Sequence, residues 1–543
     1  MNRKILCGVL ALLLVLAVAF TGCQSNSSSS ASGSGSTSGS DSGSGSGSGS
    51  TDLEAVTLEY YMPEKAMTDA QMVWDEINKY VQEKINATVN IHWIEWAEYS
   101  QRMSAIIGAG QEFDLLASPT SVLNFAVNAN NGAYAELDDL LTEYAPDLLE
   151  EVPAFVLEGG KVNGKIYGVP SYKDVADSYS VIWYTDLAQE WGVDESKLTS
   201  SWKWLDDKYD AFVEFKEKRD AAHPEYADLP MVTSIHDGLN LWSSSDEIIN
   251  GVVTNVGNIE YFEGQGSGEK VFNVFATPEF VEIAKNVRKW VDAGLMPQFE
   301  ATPDPDGALK KSGAVPMGTG QGYVAIAENL WSEDHQTVMC RSDIALSSTA
   351  YLQSAITAVS RTSQNPERAV MFMNLQYSDT YIATASRFGI EGTHYNIVQD
   401  DEGNDRLDFK GTANDVAAAD RPYYNWYGAQ WGNLFKCILP ADQPDNFYTA
   451  LEEMNVESEQ FETNLGFVFD QEPVVNEIAA CAGVIDEYKK PLMKGAYPAD
   501  QIETVCAEFV EKLNANGMDK IVEEAQKQLN EWRAANGKST YEG

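Results

Sequence analysis

The stretch from residue 56 to residue 118 constrains the fold of this chain more than any other. VTLEYYMP at 56–63 has the β-branched and aromatic content of a strand, and Val73, Ile77, Tyr80, Val81 and Ile85 recur at helical spacing behind it. VNIHWIEW at 89–96 alternates as a second strand, a helix follows from about Ala97 to Ile107, and FDLLAS at 113–118 reads as a short buried strand. Gly108-Ala109-Gly110 closes the second helix. Strand, helix, strand, helix, strand predicts parallel βαβ units with right-handed crossovers, an α/β fold. Ligands of open α/β sheets sit beyond the carboxyl ends of the strands, which directs attention to Trp96 and to Ser118-Pro119-Thr120.

Further punctuation follows along the chain. NGAYAELDDLLTEYAPDL (131–148) predicts a loop, a helix and a proline stop. KVNGKIYGVP (161–170) predicts a hairpin turning at Asn163-Gly164, and SVIWYTDLAQEWG (180–192) a strand entering a helix. Asn365 is a good N-cap before Pro366 at the first position of a helix reaching about Tyr377, and the tail from Val474 is largely helical and charged.

The amino terminus has another character. Asn2, Arg3 and Lys4 form a basic head, and Ile5 to Phe20 a mostly apolar run. Such a run falls short of the roughly 20 residues of a membrane span and fits the core of a signal peptide. Phe20-Thr21-Gly22-Cys23 resembles the lipobox of bacterial lipoproteins, which implies diacylglyceryl attachment at Cys23 and a signal peptide over 1–22. Residues 24–52 are almost all Ser, Gly, Thr and Asp, with no apolar periodicity, so they read as an unfolded leash with a root-mean-square span of roughly 30 Å. The remainder is too long for one ordinary domain, so at least two lobes are expected.

Composition filters partners more than fold. The 82 acidic and 37 basic residues leave a net charge of −45, a surface repelled by nucleic acid and anionic lipid and suited to neutral or cationic partners. The five histidines are far apart and in no ligand spacing, so no metal and no cofactor is implied. GQGSGEK (264–270), DPDG (304–307) and DDEGND (400–405) read as turns rather than phosphate or calcium loops. No elbow for a catalytic serine and no Walker loop appears. A carboxylate pair of glycosidase type could hide among so many acids. Cys340, Cys437, Cys481 and Cys506 give no readable disulfide framework.

The aromatic residues say more. Carbohydrate sites stack flat rings on the C–H faces of sugars and use carboxylates, amides or cations for the hydroxyls. Trp93, Trp96, Trp183, Tyr184, Trp242, Tyr323 and Trp331 fall near strand ends and glycine-rich loops. YYNWYGAQWGN (423–433) crowds Tyr423, Tyr424, Trp426, Tyr427 and Trp431 together with Asn425, Gln430 and Asn433, more than a core strand requires.

The lipobox and leash, GQEFDLLAS, NGAYAELDDLL, KVNGKIYGVPSYKD, ITAVSRTSQNPERAVMFMN and GIEGTHYN together resemble the bacterial extracellular solute-binding proteins of family 1, mostly carbohydrate receptors of ABC importers. GFVFDQEPVVNEIAACAGVIDEYKKPLMKG and the helical tail resemble a C-terminal domain of unknown function carried by a lipoprotein subgroup. The resemblance implies a two-lobed Venus-flytrap fold of the periplasmic-binding-protein type, each lobe a mixed or parallel sheet flanked by helices, hinged by two or three crossovers. The first lobe is expected over 53–170 and about 340–395, the second over 171–339 and about 396–543, with 465–543 a helical segment. It also implies a pocket of Ser118, Thr120, Tyr172, Lys173, Asp174, Trp183, Gln321 and Tyr323, completed by Trp426, Trp431 and Asn433, with Tyr184-Thr185 standing where many relatives carry a basic or amide residue. The implied function is non-catalytic capture of a carbohydrate, an oligosaccharide in the first place, by a monomer lipid-anchored outside the cytoplasmic membrane and served by permease and ATPase partners. A peptide or other non-sugar solute, or a surface-anchored glycoside hydrolase, are the alternatives.

Overall fold

The computed structural model describes residues 53–176, 179–199, 205–232, 247–249, 252–254, 268–297, 308–321, 334–341, 345, 347–425, 432–459 and 464–542. In chain order the elements that position the site begin with β1 (Val56–Met62), α1 (Ala70–Ile85), β2 (Ala87–Trp93), α2 (Trp96–Gly108), β3 (Leu115–Ala117), β4 (Gly168–Pro170) and β5 (Tyr179–Tyr184). They continue with α3 (Pro278–Asp292), β6 (Met317–Gln321), β7 (Thr337–Arg341), β8 (Ile356–Val359), α4 (Pro366–Ser378) and α5 (Thr380–Phe388). The hairpin of β9 (Asn396–Gln399) and β10 (Asp405–Asp408) precedes α6 (Phe447–Glu459), α7 (Val475–Met493), α8 (Ile502–Ala515) and α9 (Met518–Ala535).

The first lobe is a sheet of order β2-β1-β3-β8-β4. β1 pairs parallel with β2 and β3, as the alternation predicts, and β8 runs antiparallel between β3 and β4. Val73, Ile77, Val81 and Ile85 of α1 are buried, and the left-handed Asn86 ends the helix. β2 stops at Trp93 rather than Trp96: the Ile94 N–H to Met62 carbonyl bond, at 2.9 Å, is the last rung of its ladder with β1, and α2 begins at Trp96. Asn163 and Gly164 both have positive φ, 52° and 79°, the geometry of a primed two-residue turn between the strands they join.

Pro146 stops the expected helix, which runs Asp138–Tyr144, and also opens a second short one, Pro146–Glu151. A residue before proline is pushed out of the helical region, and Ala145 at φ −137°, ψ 49° is the break between them. Asn365 makes no capping bond to α4; its Nδ2 instead reaches Asp114 Oδ1 at 3.4 Å.

The second lobe is built on β5, flanked antiparallel by β6 and β7. Its core joins Val181 and Trp183 of β5 to Phe280, Val287 and Trp290 of α3 and to Tyr488, Phe509 and Leu529 of the tail helices. Described residues of the stretch 396–454, expected with this lobe, pack elsewhere. Leu407, Leu439, Phe447, Leu451 and Met454 form a separate cluster on Ala383 and Phe388 of α5, a first-lobe helix. Cys340, Cys437, Cys481 and Cys506 are free and buried.

DDEGND is a turn, as expected. Asp400 accepts the Asn404 and Glu402 N–H groups, at 2.8 and 3.0 Å, and lies 3.0 Å from Arg406 Nε. These donors, the Asn404 N–H foremost, hold its carboxyl down at about 2. The folded value lies below the ordinary 3.8, so the turn's contribution is complete above that value and is lost as pH falls through about 2. Carboxyl-carbon NMR titration should place the Asp400 midpoint near 2; a midpoint of 3.8 would contradict the bonding.

Candidate functional site

Parallel strands deliver their carboxyl ends to one side of a sheet, and there three segments of the first lobe meet. Beyond β1, Glu64 Oε1 accepts the Asn425 Nδ2 at 2.6 Å, which ties the start of the aromatic run to the strand end. Beyond β2, Trp96 is the first residue of α2 and is 51% exposed. Tyr99, one turn on, is buried and donates to the carbonyls of Tyr61 and Ala117, at 3.1 and 2.6 Å, clamping the three strand ends together. Beyond β3, Thr120 Oγ1 donates to Gln353 Oε1 at 3.1 Å. Ser118 is turned inward, its Oγ 2.7 Å from the Tyr134 hydroxyl, so it supports the loop and offers a ligand nothing.

The chain then leaves the first lobe through Ser171–Ala176. Lys173 and Asp174 pair with each other, and Asp174 Oδ2 accepts the Tyr351 hydroxyl at 2.9 Å. Asn455 of α6 is buried and reads the backbone of this segment, donating to the Lys173 carbonyl at 2.6 Å and accepting the Val175 N–H at 2.9 Å. Ser347 Oγ donates to the Val175 carbonyl at 2.6 Å, which joins this segment to the one leaving β7. Arg341, the last residue of β7, meets Glu457 of α6 at 2.7 Å. Lys173 and Asp174, expected in the pocket, are therefore members of a hinge network.

The backbone of Tyr172 meets the chain on either side of Asn433. The Tyr172 N–H donates to the Gly432 carbonyl at 3.1 Å, and its own carbonyl accepts the Leu434 N–H at 2.8 Å. Its ring lies 4.6 Å from Phe435, and its hydroxyl is pushed up to about 12, chiefly by burial and then by the charge of Glu452. Asn433 is buried with its amide bonded to the Phe435 N–H and the Tyr377 carbonyl, so its polar atoms belong to the fold. Glu452 lines an open depression of about 570 Å³ along α6 with Thr449, Glu453, Val456 and Glu457. Burial pushes the Glu452 carboxyl up, against the pull of Lys436.

Trp183 is corrected outright. It has no exposed surface and faces the second-lobe core, because β5 is the middle strand of its sheet and Val181 and Trp183 share the face that α3 and the tail cover. The backbone of Gln321 ends β6 opposite Tyr179. Its side chain, with Tyr323, Trp426, Trp431 and Cys23, lies outside the described residues. Among the described residues no cluster of His, Cys, Asp or Glu has the form of a metal site, and no helix is long and apolar enough to cross a membrane.

What remains is an exposed aromatic plate, amide and carboxylate acceptors, and a hinge, a set suited to holding a polar solute. Comparison with known families decides the class. Residues 63–382 match the family described as bacterial extracellular solute-binding protein, more than half of the chain. The chain belongs to the bacterial extracellular solute-binding proteins. Residues 463–534 of this solute-binding protein match a domain of unknown function, DUF3502. A curated relative from Streptococcus pneumoniae serotype 4, a carbohydrate ABC transporter substrate-binding protein, is 26% identical over 462 residues, covering 84% of this chain and 86% of its own. The crystal structure of an N-glycan transport solute-binding protein from Streptococcus pneumoniae superposes with a TM-score of 0.71 at 22% identity, covering 89% of this chain and all of that one. Its complex with Man1GlcNAc superposes at 0.64, covering 88% and 99%, again at 22% identity. These neighbours share the two-lobed fold.

Proposed function

We propose that this solute-binding protein captures a carbohydrate, an oligosaccharide rather than a single sugar, between its two lobes and delivers it unchanged to the permease of an ABC importer. The matched family carries the reading; the sugar-binding relatives and the aromatic run after Tyr423 support its carbohydrate half. Trp96 would stack on a sugar face, and Glu64, Asn425 and the α6 carboxylates would accept hydroxyl protons. Trp426 and Trp431 complete the plates, and Cys23 anchors the body to the outer face of the cytoplasmic membrane through the Ser/Gly leash.

Mechanism follows from the hinge. Open and closed forms of such a protein differ by a few kcal/mol, and a solute touching both lobes favours the closed one. No bond is broken; the contact energy appears as closure, and the permease reads the closed shape.

A thermal-shift screen across neutral oligosaccharides, peptides and amines tests the ligand class. At a hundredfold excess over Kd a bound sugar should stabilise the protein by about 2.7 kcal/mol. A peptide or an amine shifting the melt while every sugar leaves it unmoved would overturn the carbohydrate assignment.

A further inference from the structure

The C-terminal helices do more than cover a sheet. Leu465 sits in the first-lobe core at 8% exposure, and Phe467, two residues later, sits in the second-lobe core at 7%. Residues 464–468 therefore run along the seam between the lobes, Leu465 and Val468 against the first and Phe467 against the second, a connection additional to those after β4 and β7. Gly466 has φ 89°, a left-handed conformation that other residues adopt only under strain, and its N–H donates to Thr349 Oγ1 of the first lobe at 3.0 Å.

The approach to that connection is held by the tail. Asn464 is fully buried; its Nδ2 donates to the Gly268 carbonyl at 3.0 Å, and its Oδ1 accepts from Arg533 Nη1 of α9 at 2.6 Å. Arg533 is itself buried and also donates to the carbonyl and hydroxyl of Ser539, while Glu269 stands 3.7 Å away. Gln526, two turns earlier on α9, pins the same segment by accepting the Val271 N–H and donating to the Glu269 carbonyl, both at 2.7 Å. The ring of Trp532 packs on Phe467 at 5.8 Å.

We propose that the segment of unknown function is the brace of this third connection, and that Arg533, acting through Asn464, is a positioning residue for lobe closure. Asn464 and Phe467, on either side of Gly466, are both held by α9, while Leu465 and the Gly466 N–H are held by the first lobe, so α9 sets where the first lobe meets this segment. By contrast the other two connections are tied to each other, through Ser347 and Val175. The proposal rests on the capture reading above, since only a protein that closes needs such a setting.

The test compares the full-length protein with Arg533→Met, Arg533→Lys, Asn464→Ser and Gly466→Ala. Azide-bearing residues at Met72 and Glu217, both on the surface, carry dyes that report the distance between lobes without touching the buried cysteines. Arg533→Met and Asn464→Ser should shift or broaden the distance distribution without sugar and change the apparent Kd by about threefold or more, with Arg533→Lys close to wild type. Gly466→Ala should shift it with the tail bonds intact. Variants whose distances and Kd match wild type while only their melting temperatures fall would overturn the proposal. Should Arg533→Met fail to fold, Asn464→Ser and Gly466→Ala decide alone. A wild type whose distances ignore every sugar defeats the capture reading instead, and the brace is then judged on the sugar-free distributions.

Discussion

A chain ending at residue 463 is expected to lose the folded second lobe. The tail supplies that lobe's core with Phe467, Val484, Ile485, Tyr488, Leu492, Ile502, Phe509, Leu513, Ile521 and Leu529, among others. Each large apolar side chain fully buried contributes about 1.5–3 kcal/mol, and the net stability of a folded domain is about 5–15 kcal/mol, so the loss exceeds the margin. Phe509 shows the effect locally. It is fully buried, stacked at 5.2 Å on Tyr488 and 4.7 Å from Phe275, and Phe509→Ala alone should cost about 3–5 kcal/mol. The check is soluble yield with dye binding and circular dichroism on heating. A truncated protein that melts cooperatively at the wild-type temperature would show the tail to be a separate module.

The second large effect separates two kinds of tryptophan. Trp183→Ala should lower stability by about 3–5 kcal/mol, because the indole is enclosed by the second-lobe core and its removal leaves a cavity. Trp426→Ala or Trp431→Ala should weaken sugar binding tenfold or more, about 1.4 kcal/mol, and leave the sugar-free melt nearly unchanged. Calorimetric unfolding and titration on the same samples resolve the two. If Trp183→Ala melts as wild type, or if Trp426→Ala and Trp431→Ala both lose their fold, the assignment of plates and core is reversed.

What the sequence revealed follows from which signals are local. The βαβ start was legible because Val73, Ile77, Val81 and Ile85 repeat at helical spacing and because strands of that unit need only neighbours. The Asn163-Gly164 turn was legible because the dipeptide itself prefers positive φ at both residues. The site was less so. Trp183 and an exposed plate such as Trp96 carry the same side chain, and only the covering of β5 by α3 and the tail tells them apart. Asn433 reads as ligand-facing from its amide among the aromatics, and Lys173 from the family resemblance, yet long-range partners, Tyr377 and Asn455, use their neighbourhood for the fold. The packing of Leu407, Leu439, Phe447, Leu451 and Met454 on α5 rests on contacts across large sequence separations, which no window of residues contains.

The central claim, that a hinged pair of lobes stores a captured sugar's contact energy as closure, is tested most directly by small-angle scattering with and without the sugar that the thermal screen selects. The account predicts a smaller radius of gyration at saturation and recovery of the sugar chemically intact. An unchanged radius with the sugar bound, or a sugar consumed during the measurement, would contradict it.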